Sequence, residues 1–326
     1  IAKEYTEKFF IDENALNINK ADYHPKATQH ISEMLSMIDR LINSKMAYIS
    51  NQNVYFEINK FREYGKLSGN ISNLSTLNNN EESDPNKRNP NDFAIWKSTN
   101  ENRELIWESQ FGKGFPGWHI ECSAMAHKYL GEQFDIHTGG VDNIFPHHEG
   151  EIAQSEGTFG KKHVNYWIHG QHLLSEGVKM SKSKQNEYLI SDISKRSIDP
   201  LAFRYLCLMT SYRTKLNFTF SALKAAQKGL NKLRHIYWIN KHSNDSINID
   251  KVKMWSEQAD IALLNNLNTS KVLSILWQSA KSDLNKSEIC YFFEYIDNVL
   301  SLDFNKYYLN ENKFELPNDE YEVRKK

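Results

Sequence analysis

Two patterns of apolar residues alternate along the chain and change places near Asp192. Ahead of that point, in residues 28–46, Ile31, Met34, Leu35, Ile38, Leu41 and Ile42 recur at spacings of three and four. That spacing predicts a helix with one buried face. Ala47-Tyr48-Ile49 and Val54-Tyr55-Phe56 then flank Asn51-Gln52-Asn53, the signature of a short hairpin with turn residues at its tip. Residues 65–88 are polar and rich in Asn and Ser, as a surface loop would be, and residues 93–96 resume ordered structure.

From Trp118 short apolar runs alternate with helical stretches. Residues 118–121 read as the end of a strand, and Ser123 as the cap of a short helix that stops at Gly131. Residues 134–137 read as a strand followed by a tight Thr138-Gly139-Gly140 loop, with Pro146 where the next helix begins. Residues 165–168 and 171–174 predict further strands, the latter leading through Ser175-Glu176-Gly177 into a hairpin. Such alternation predicts a parallel α/β sheet with ligands at the carboxyl ends of its strands. Past Asp192 the period turns helical throughout: residues 201–209, then Leu223, Ala226, Leu230, Leu233 and Tyr237, then stretches within 261–277 and 291–300. This is the pattern of a helical bundle, with residues 241–248 as a polar inter-helix loop. Residues 1–10 read as part of an amphipathic helix and residues 319–326 as a helix just starting, so the expectation is a fragment of a longer fold.

Composition narrows the class. The 326 residues are 40% hydrophobic, enough for an ordinary globular core of more than one domain. No apolar run reaches the roughly 18–20 residues of a membrane span, and none resembles a signal peptide. A net charge of −1 supplies no global field toward nucleic acid, so RNA binding would need a local basic surface. Three widely separated cysteines argue against a disulfide framework and for a reducing, cytoplasmic setting. Cys207 and Cys290 lie in apolar helical surroundings and read as core.

Two constellations carry chemistry. In Pro146-His147-His148-Glu149-Gly150-Glu151, His147 and Glu151 are four apart and share a helix face, with Pro146 placing His147 in the first turn. There the helix dipole favours the neutral ring that a ligand must have. Cys122, expected just before a short helix where a thiolate is favoured, completes a sulfur, nitrogen and oxygen set that suits zinc. His148, His119 and Glu149 are close in sequence and leave the ligand choice open at this level. The second constellation is Lys179-Met180-Ser181-Lys182-Ser183-Lys184, whose lysines three apart could both reach a triphosphate and offset charge as pyrophosphate leaves.

At these residues the chain resembles the cysteinyl-tRNA synthetases, a family of class I aminoacyl-tRNA synthetases. Lys179-Met180-Ser181-Lys182-Ser183 matches the class I signature, while Gly117-Trp118-His119-Ile120-Glu121-Cys122-Ser123-Ala124-Met125 and Phe145-Pro146-His147-His148-Glu149 point to the cysteine-specific branch. The resemblance covers nearly the whole chain and is strongest over residues 114–186. It implies a Rossmann-like parallel-sheet catalytic domain, incomplete at its N-terminus, over residues 1–190 with an inserted α+β segment at about 25–97. A stem-contact region over 191–222 and an all-α, tRNA-binding bundle over 223–326 would follow.

The resemblance also implies roles. Cys122, His147 and Glu151 would hold one zinc ion, with a fourth ligand, a cysteine, upstream of Ile1 along with the His-Ile-Gly-His motif that grips ATP. Lys179 and Lys182 would be catalytic, Lys182, Gly139, Gly140 and Asp142 would bind ATP with its Mg²⁺, and Trp118, His119 and His137 would form the cysteine pocket. The implied partners are tRNA(Cys), L-cysteine and ATP, on a monomer away from membranes, and the fragment alone would be inactive. Thr138, Gly150 and Lys184-Gln185 depart from the family pattern, which reads as altered loop stiffness. Two rival readings are the cysteine ligase of mycothiol synthesis, which resembles the same core, and a non-catalytic zinc- or tRNA-binding module.

Overall fold

The structure is a computed structural model that describes residues 1–69, 84–99, 103–180 and 186–306. The expectations placed on Ser181-Lys182-Ser183, on most of the polar loop and on residues 319–326 fall outside the described residues. The chain divides into two compact units, Ala21–Gly170 and a second made of Ile1–Lys20 with Gln171–Lys326.

In the unit Ala21–Gly170, helix α2 (Ile31–Asn43) buries Met34, Met37, Ile38 and Leu41 on one face, as the three-and-four spacing requires. The hairpin follows as β1 (Ala47–Ser50) and β2 (Asn53–Phe56). Its two-residue turn holds Asn51 and Gln52 at positive φ, 47° and 64°, the turn geometry that matches strand twist. With β3 (Phe93–Ser98) and β4 (Gly114–Pro116) these strands make an antiparallel sheet in the order β1-β2-β3-β4. Val54, Phe56, Ile95 and Trp96 pack from this sheet against Met34, Ile38 and Leu41 of α2 and Ile120 and Ala124 of α3 (Ile120–Leu130). β5 (Phe134–Gly140) and β6 (Val164–Gly170) then run parallel, joined through α4 (Glu149–Phe159) as a helical crossover.

Three local expectations are corrected here. Residues 118–121 are not a strand end, because α3 begins at Ile120. Ser123 does not cap that helix; it is fully buried inside it and donates to Gln154 at 2.6 Å. Thr138-Gly139-Gly140 is not a tight loop but the extended end of β5, paired with Ile168, His169 and Gly170.

The second unit opens with α1 (Ala2–Ala15), none of whose residues is buried, so the amphipathic reading of residues 1–10 does not hold. β7 (Leu173–Ser175) and β8 (Val178–Lys179) form the expected hairpin, and β9 (Leu216–Phe218) runs parallel to β7. The bundle consists of α5 (Ile190–Lys195), α6 (Pro200–Leu208), α7 (Phe220–Asn240), α8 (Ile249–Leu264), α9 (Thr269–Ser279) and α10 (Lys286–Leu300). Asp199, Thr219, Asn248, Asn268 and Asn285 cap five of these helices with side-chain oxygens, the role their chemistry favours. Leu230, Leu233, Tyr237, Val272, Leu276, Phe292, Phe293 and Phe304 share one apolar core. Arg234, 3% exposed, spans that core's edge by donating to Asp199, to Leu302 O and to Asp303 O. No helix among the described residues is long and apolar enough to cross a membrane.

Phe293→Ala should destabilise this unit by roughly 3–5 kcal/mol, because a fully buried ring leaves a cavity. Ile261→Ala, at a residue 67% exposed, should stay within about 0.5 kcal/mol. Urea unfolding followed by circular dichroism checks both.

Candidate metal and substrate site

The site in the unit Ala21–Gly170 is built where α3 and α4 start side by side. The chain leaves β4, passes an exposed Trp118 and turns at His119, whose φ of 80° lies in the left-handed region. That turn sets Cys122 in the first turn of α3. Phe145, with extended dihedrals of φ −137° and ψ 133°, breaks the chain direction ahead of Pro146. Pro146, His147 and His148 form the helical turn that runs into α4, as the position of Pro146 led us to expect. Ser123 and Gln154 tie the two helices together, and Gln154 also donates to Trp118 O at 3.5 Å.

The ligating atoms of Cys122, His147 and Glu151 lie within 4.8 Å of one another. His147 Nε2 is 3.1 Å from Glu151 Oε1, with His137 Nε2 at 3.7 Å and His148 Nε2 at 4.0 Å from the same oxygen. None of these approaches makes a hydrogen bond: both carboxylate oxygens of Glu151 are buried without a partner. Burial, with the neighbouring histidines, holds His119 and His148 far below the ordinary imidazole range, at about 3. Burial lowers His137 as well. Three neutral rings therefore stand close to a buried carboxylate that has no hydrogen-bond partner.

Cys122 corrects a further expectation. It stands inside α3, and burial, followed by the charges of Glu151 and Glu121, pushes its thiol up to about 12 rather than favouring the thiolate. A helix N-terminus contributes about 0.3–1 kcal/mol, too little against desolvation worth several pKa units. A cation between Cys122, His147 and Glu151 would reverse this balance, displacing the thiol proton and partnering the carboxylate. The donor set, one sulfur, one imidazole nitrogen and one carboxylate oxygen, fits zinc and not a hard cation. His137, His148 and Glu151 form a second triad on the same carboxylate, without a sulfur.

Outer contacts fix these groups. His119 Nδ1 and His147 Nδ1 are hydrogen-bonded at 2.7 Å, and His148 Nδ1 meets His169 Nε2 at 2.8 Å. His137 stacks on Trp167 with centroids 4.6 Å apart. Gly139 leaves room for the His148 ring, since a Cβ there would stand 2.6 Å from Cε1. Gly150 does the same for His119, 2.6 Å from Cδ2, so this departure from the family pattern concerns ring packing on α4 and not loop stiffness. Sequence reading missed His169, Trp167 and Gln154, which carry no motif and are recognisable only by proximity. It also missed the role of Glu149, a fully buried carboxylate that accepts from the backbone of Gly65, Leu67 and Ser68 at 2.9, 2.6 and 2.7 Å.

Gly139 and Gly140 end β5, and Asp142 follows in the next turn, the carboxyl end of a parallel strand where ligands bind in such sheets. Lys179 ends β8 in the other unit, where Glu176 and Gly177 make the turn at φ of 49° and 78°. Gly177 N donates to Asn217 at 2.7 Å, which pins the tip of that hairpin. Lys182 lies outside the described residues.

A sequence model of the family described as tRNA synthetases class I (C) catalytic domain matches residues 1–228. A cysteine–tRNA ligase of Brachyspira hyodysenteriae is 40% identical over 322 residues, covering 92% of this chain and 67% of that protein. One from Chlamydia pneumoniae is 43% identical over 276 residues, covering 82% of this chain and 58% of its own length. The chain thus spans about six-tenths of the curated relatives it matches. Among solved structures, Mycobacterium tuberculosis methionyl-tRNA synthetase in complex with methionyl-adenylate superposes with a TM-score of 0.60 at 12% identity, covering 89% of this chain and 74% of that one. That likeness shows the Rossmann-like fold. The chain belongs to the class I tRNA synthetases, in the family of cysteine-type catalytic domains.

Replacing Glu149 by Ala strands three backbone N–H groups, that of Gly65 buried and those of Leu67 and Ser68 part-buried. The expected loss is about 2–4 kcal/mol, since hydrogen bonds to a charged acceptor are the strong ones. Amide exchange at Leu67 and Ser68 should speed up by orders of magnitude in the variant; unchanged protection would show that the carboxylate does not hold this segment.

Proposed function

We propose that this chain carries the catalytic core of a cysteine–tRNA ligase, which activates L-cysteine with ATP and passes the cysteinyl group to tRNA(Cys). The observation that carries the reading is the buried, unpartnered Glu151 carboxylate beside a thiol and an imidazole, in a chain of the cysteine-type family. In the first step a carboxylate oxygen of cysteine attacks the α-phosphorus of ATP. The bond to the bridging oxygen breaks, and pyrophosphate leaves with its electron pair. In the second step a terminal ribose hydroxyl of the tRNA attacks the activated carbonyl, loses its proton and releases AMP. No covalent bond to the protein is needed, so positioning and charge stabilisation carry the rate.

Cys122, His147 and Glu151 would hold the metal. When bound, zinc supplies a soft acceptor for the substrate sulfur, which a serine hydroxyl, harder and still protonated, cannot match. Rejecting serine by roughly 10⁴–10⁵ asks for about 5.5–7 kcal/mol, more than a one-atom difference in shape provides. Trp118, exposed at the rim, would close over the substrate, with His119 and His137 lining its pocket. Gly139, Gly140 and Asp142 would receive the adenosine part. Lys179 and Lys182 would offset charge on the β- and γ-phosphates as they depart, with Mg²⁺ accompanying the nucleotide.

Two outcomes test this in the intact gene product. His147→Ala should lose zinc by elemental analysis and lower cysteine-dependent ATP–pyrophosphate exchange by about 10²-fold or more. Full metal content with unchanged exchange and unchanged serine rejection would defeat the assignment. Lys182→Ala should slow exchange by a similar factor while cysteine binding, measured without ATP, stays as it was. Equal losses in both would make Lys182 a structural residue.

A further inference from the structure

α7 stands out by charge. Its 21 residues contain no Asp or Glu. Lys224, Lys228 and Lys232 recur every fourth residue and are all exposed, away from the Leu223, Ala226, Leu230 and Leu233 stripe that enters the core. Four residues advance a helix by about 6 Å, so the three ammonium groups make a ladder roughly 12 Å long. None of the three pairs with a carboxylate among the described residues, whereas Lys195 and Lys306 do, with Asp192 and Asp199. Arg234, on the same helix, is buried and engaged with Asp199.

The ladder continues past the start of α7. Phe220 is one helical step before Lys224, and the Arg196 guanidinium lies over its ring at 3.8 Å. The acids nearest Arg196 in sequence are both engaged elsewhere, Asp199 by Arg234 and Lys306 at 2.7 and 2.9 Å and Asp192 by Lys195 at 3.1 Å. Glu187 adjoins Tyr188, which packs on Phe220 at 5.0 Å, so one carboxylate does stand near this end. The N-terminal end of the helix dipole adds to the positive side.

Like charges at a spacing of four destabilise an isolated helix, and the whole chain carries a net charge of only −1. The positive field is therefore local and linear. A lone phosphate would be gripped by converging donors. A row of parallel, evenly stepped cations suits an anion that repeats along a line. A nucleic-acid strand offers that, with one charge per ~3.4 Å of axis.

We propose that Lys224, Lys228 and Lys232, with Arg196 at the leading end, form a track for the phosphate backbone of RNA along α7. This rests on tRNA being the acceptor substrate and adds which side chains hold it and how. The contact is electrostatic, indifferent to base identity and driven by counterion release.

The test is a titration of the 326-residue chain with unmodified tRNA(Cys) transcript between 50 and 200 mM salt. Replacing the three lysines together by Gln should reduce the slope of log K against log salt by about 2–3, at ~0.7–0.9 per lysine. Affinity at low salt should fall at least tenfold, and three Lys→Arg changes should keep both slope and affinity. Gln is a good helix former at exposed positions, and the single Lys→Gln variants, each costing about 0.7–0.9 in slope, serve if the triple one folds poorly. A wild-type slope and affinity in the triple Gln variant would overturn the track and leave the tRNA reading standing. Absence of any RNA binding by the unaltered chain would overturn both. Lysine-dependent binding to polyglutamate but not to tRNA would assign the ladder to an acidic protein and overturn the RNA inference.

Discussion

A buried carboxylate without a partner governs one half of this molecule. Glu151 is wholly removed from water, and neither oxygen accepts a hydrogen bond. Leaving an ionised carboxylate so is among the most costly arrangements in a protein interior, and removing it from solvent pays back only against a cation. Three of the rings around it have no charge to offer. His119, His137 and His148 are held neutral by the same burial, and Cys122 keeps its proton. On the proposed reading these side chains are donors organised ahead of an ion, and their single sulfur would give a preference for a soft one.

The surrounding fold spends its detail on holding these donors still. Ser123 and Gln154 lock α3 to α4 so that Cys122 faces Glu151 across the two helix starts. His169 contacts His148 and His119 contacts His147, hydrogen bonds that fix the direction of both rings, as outer contacts do in metal sites. Gly139 and Gly150 make the space those rings occupy. Glu149, two residues before Glu151, faces the other way and collects three backbone amides of residues 65–68. Two carboxylates on one helical turn thus do opposite work: one is saturated by hydrogen bonds and shapes the scaffold, the other is kept bare.

Much of this was legible in the residues, and the gaps have physical causes. The His147–Glu151 spacing of four needed only helix geometry, and the hairpin at Asn51-Gln52 only turn chemistry. Periodicity located α2 and α7 because both bury a stripe. It misled in α1, where no residue is buried, and at residues 118–121, where apolar side chains imitate a strand although α3 has already begun. Gly139-Gly140 suggested a loop because glycine usually marks one; here the pair lies in β5 and makes room for a histidine ring. The Cys122 expectation failed for a different reason. The start of α3 lies two residues ahead of Cys122 and not after it, and burial, which sequence does not display, is for a thiol the larger effect. Contacts such as His148 with His169 join residues 21 apart and have no local signature at all.

The central claim is that Cys122, His147 and Glu151 jointly bind a zinc ion. Zinc-edge X-ray absorption on the metal-loaded protein measures it most directly. The account predicts a sulfur scatterer at about 2.3 Å, with nitrogen and oxygen at about 2.0–2.2 Å. The sulfur contribution should shrink in Cys122→Ser. A spectrum with nitrogen and oxygen alone, or a sulfur shell indifferent to that substitution, would contradict it.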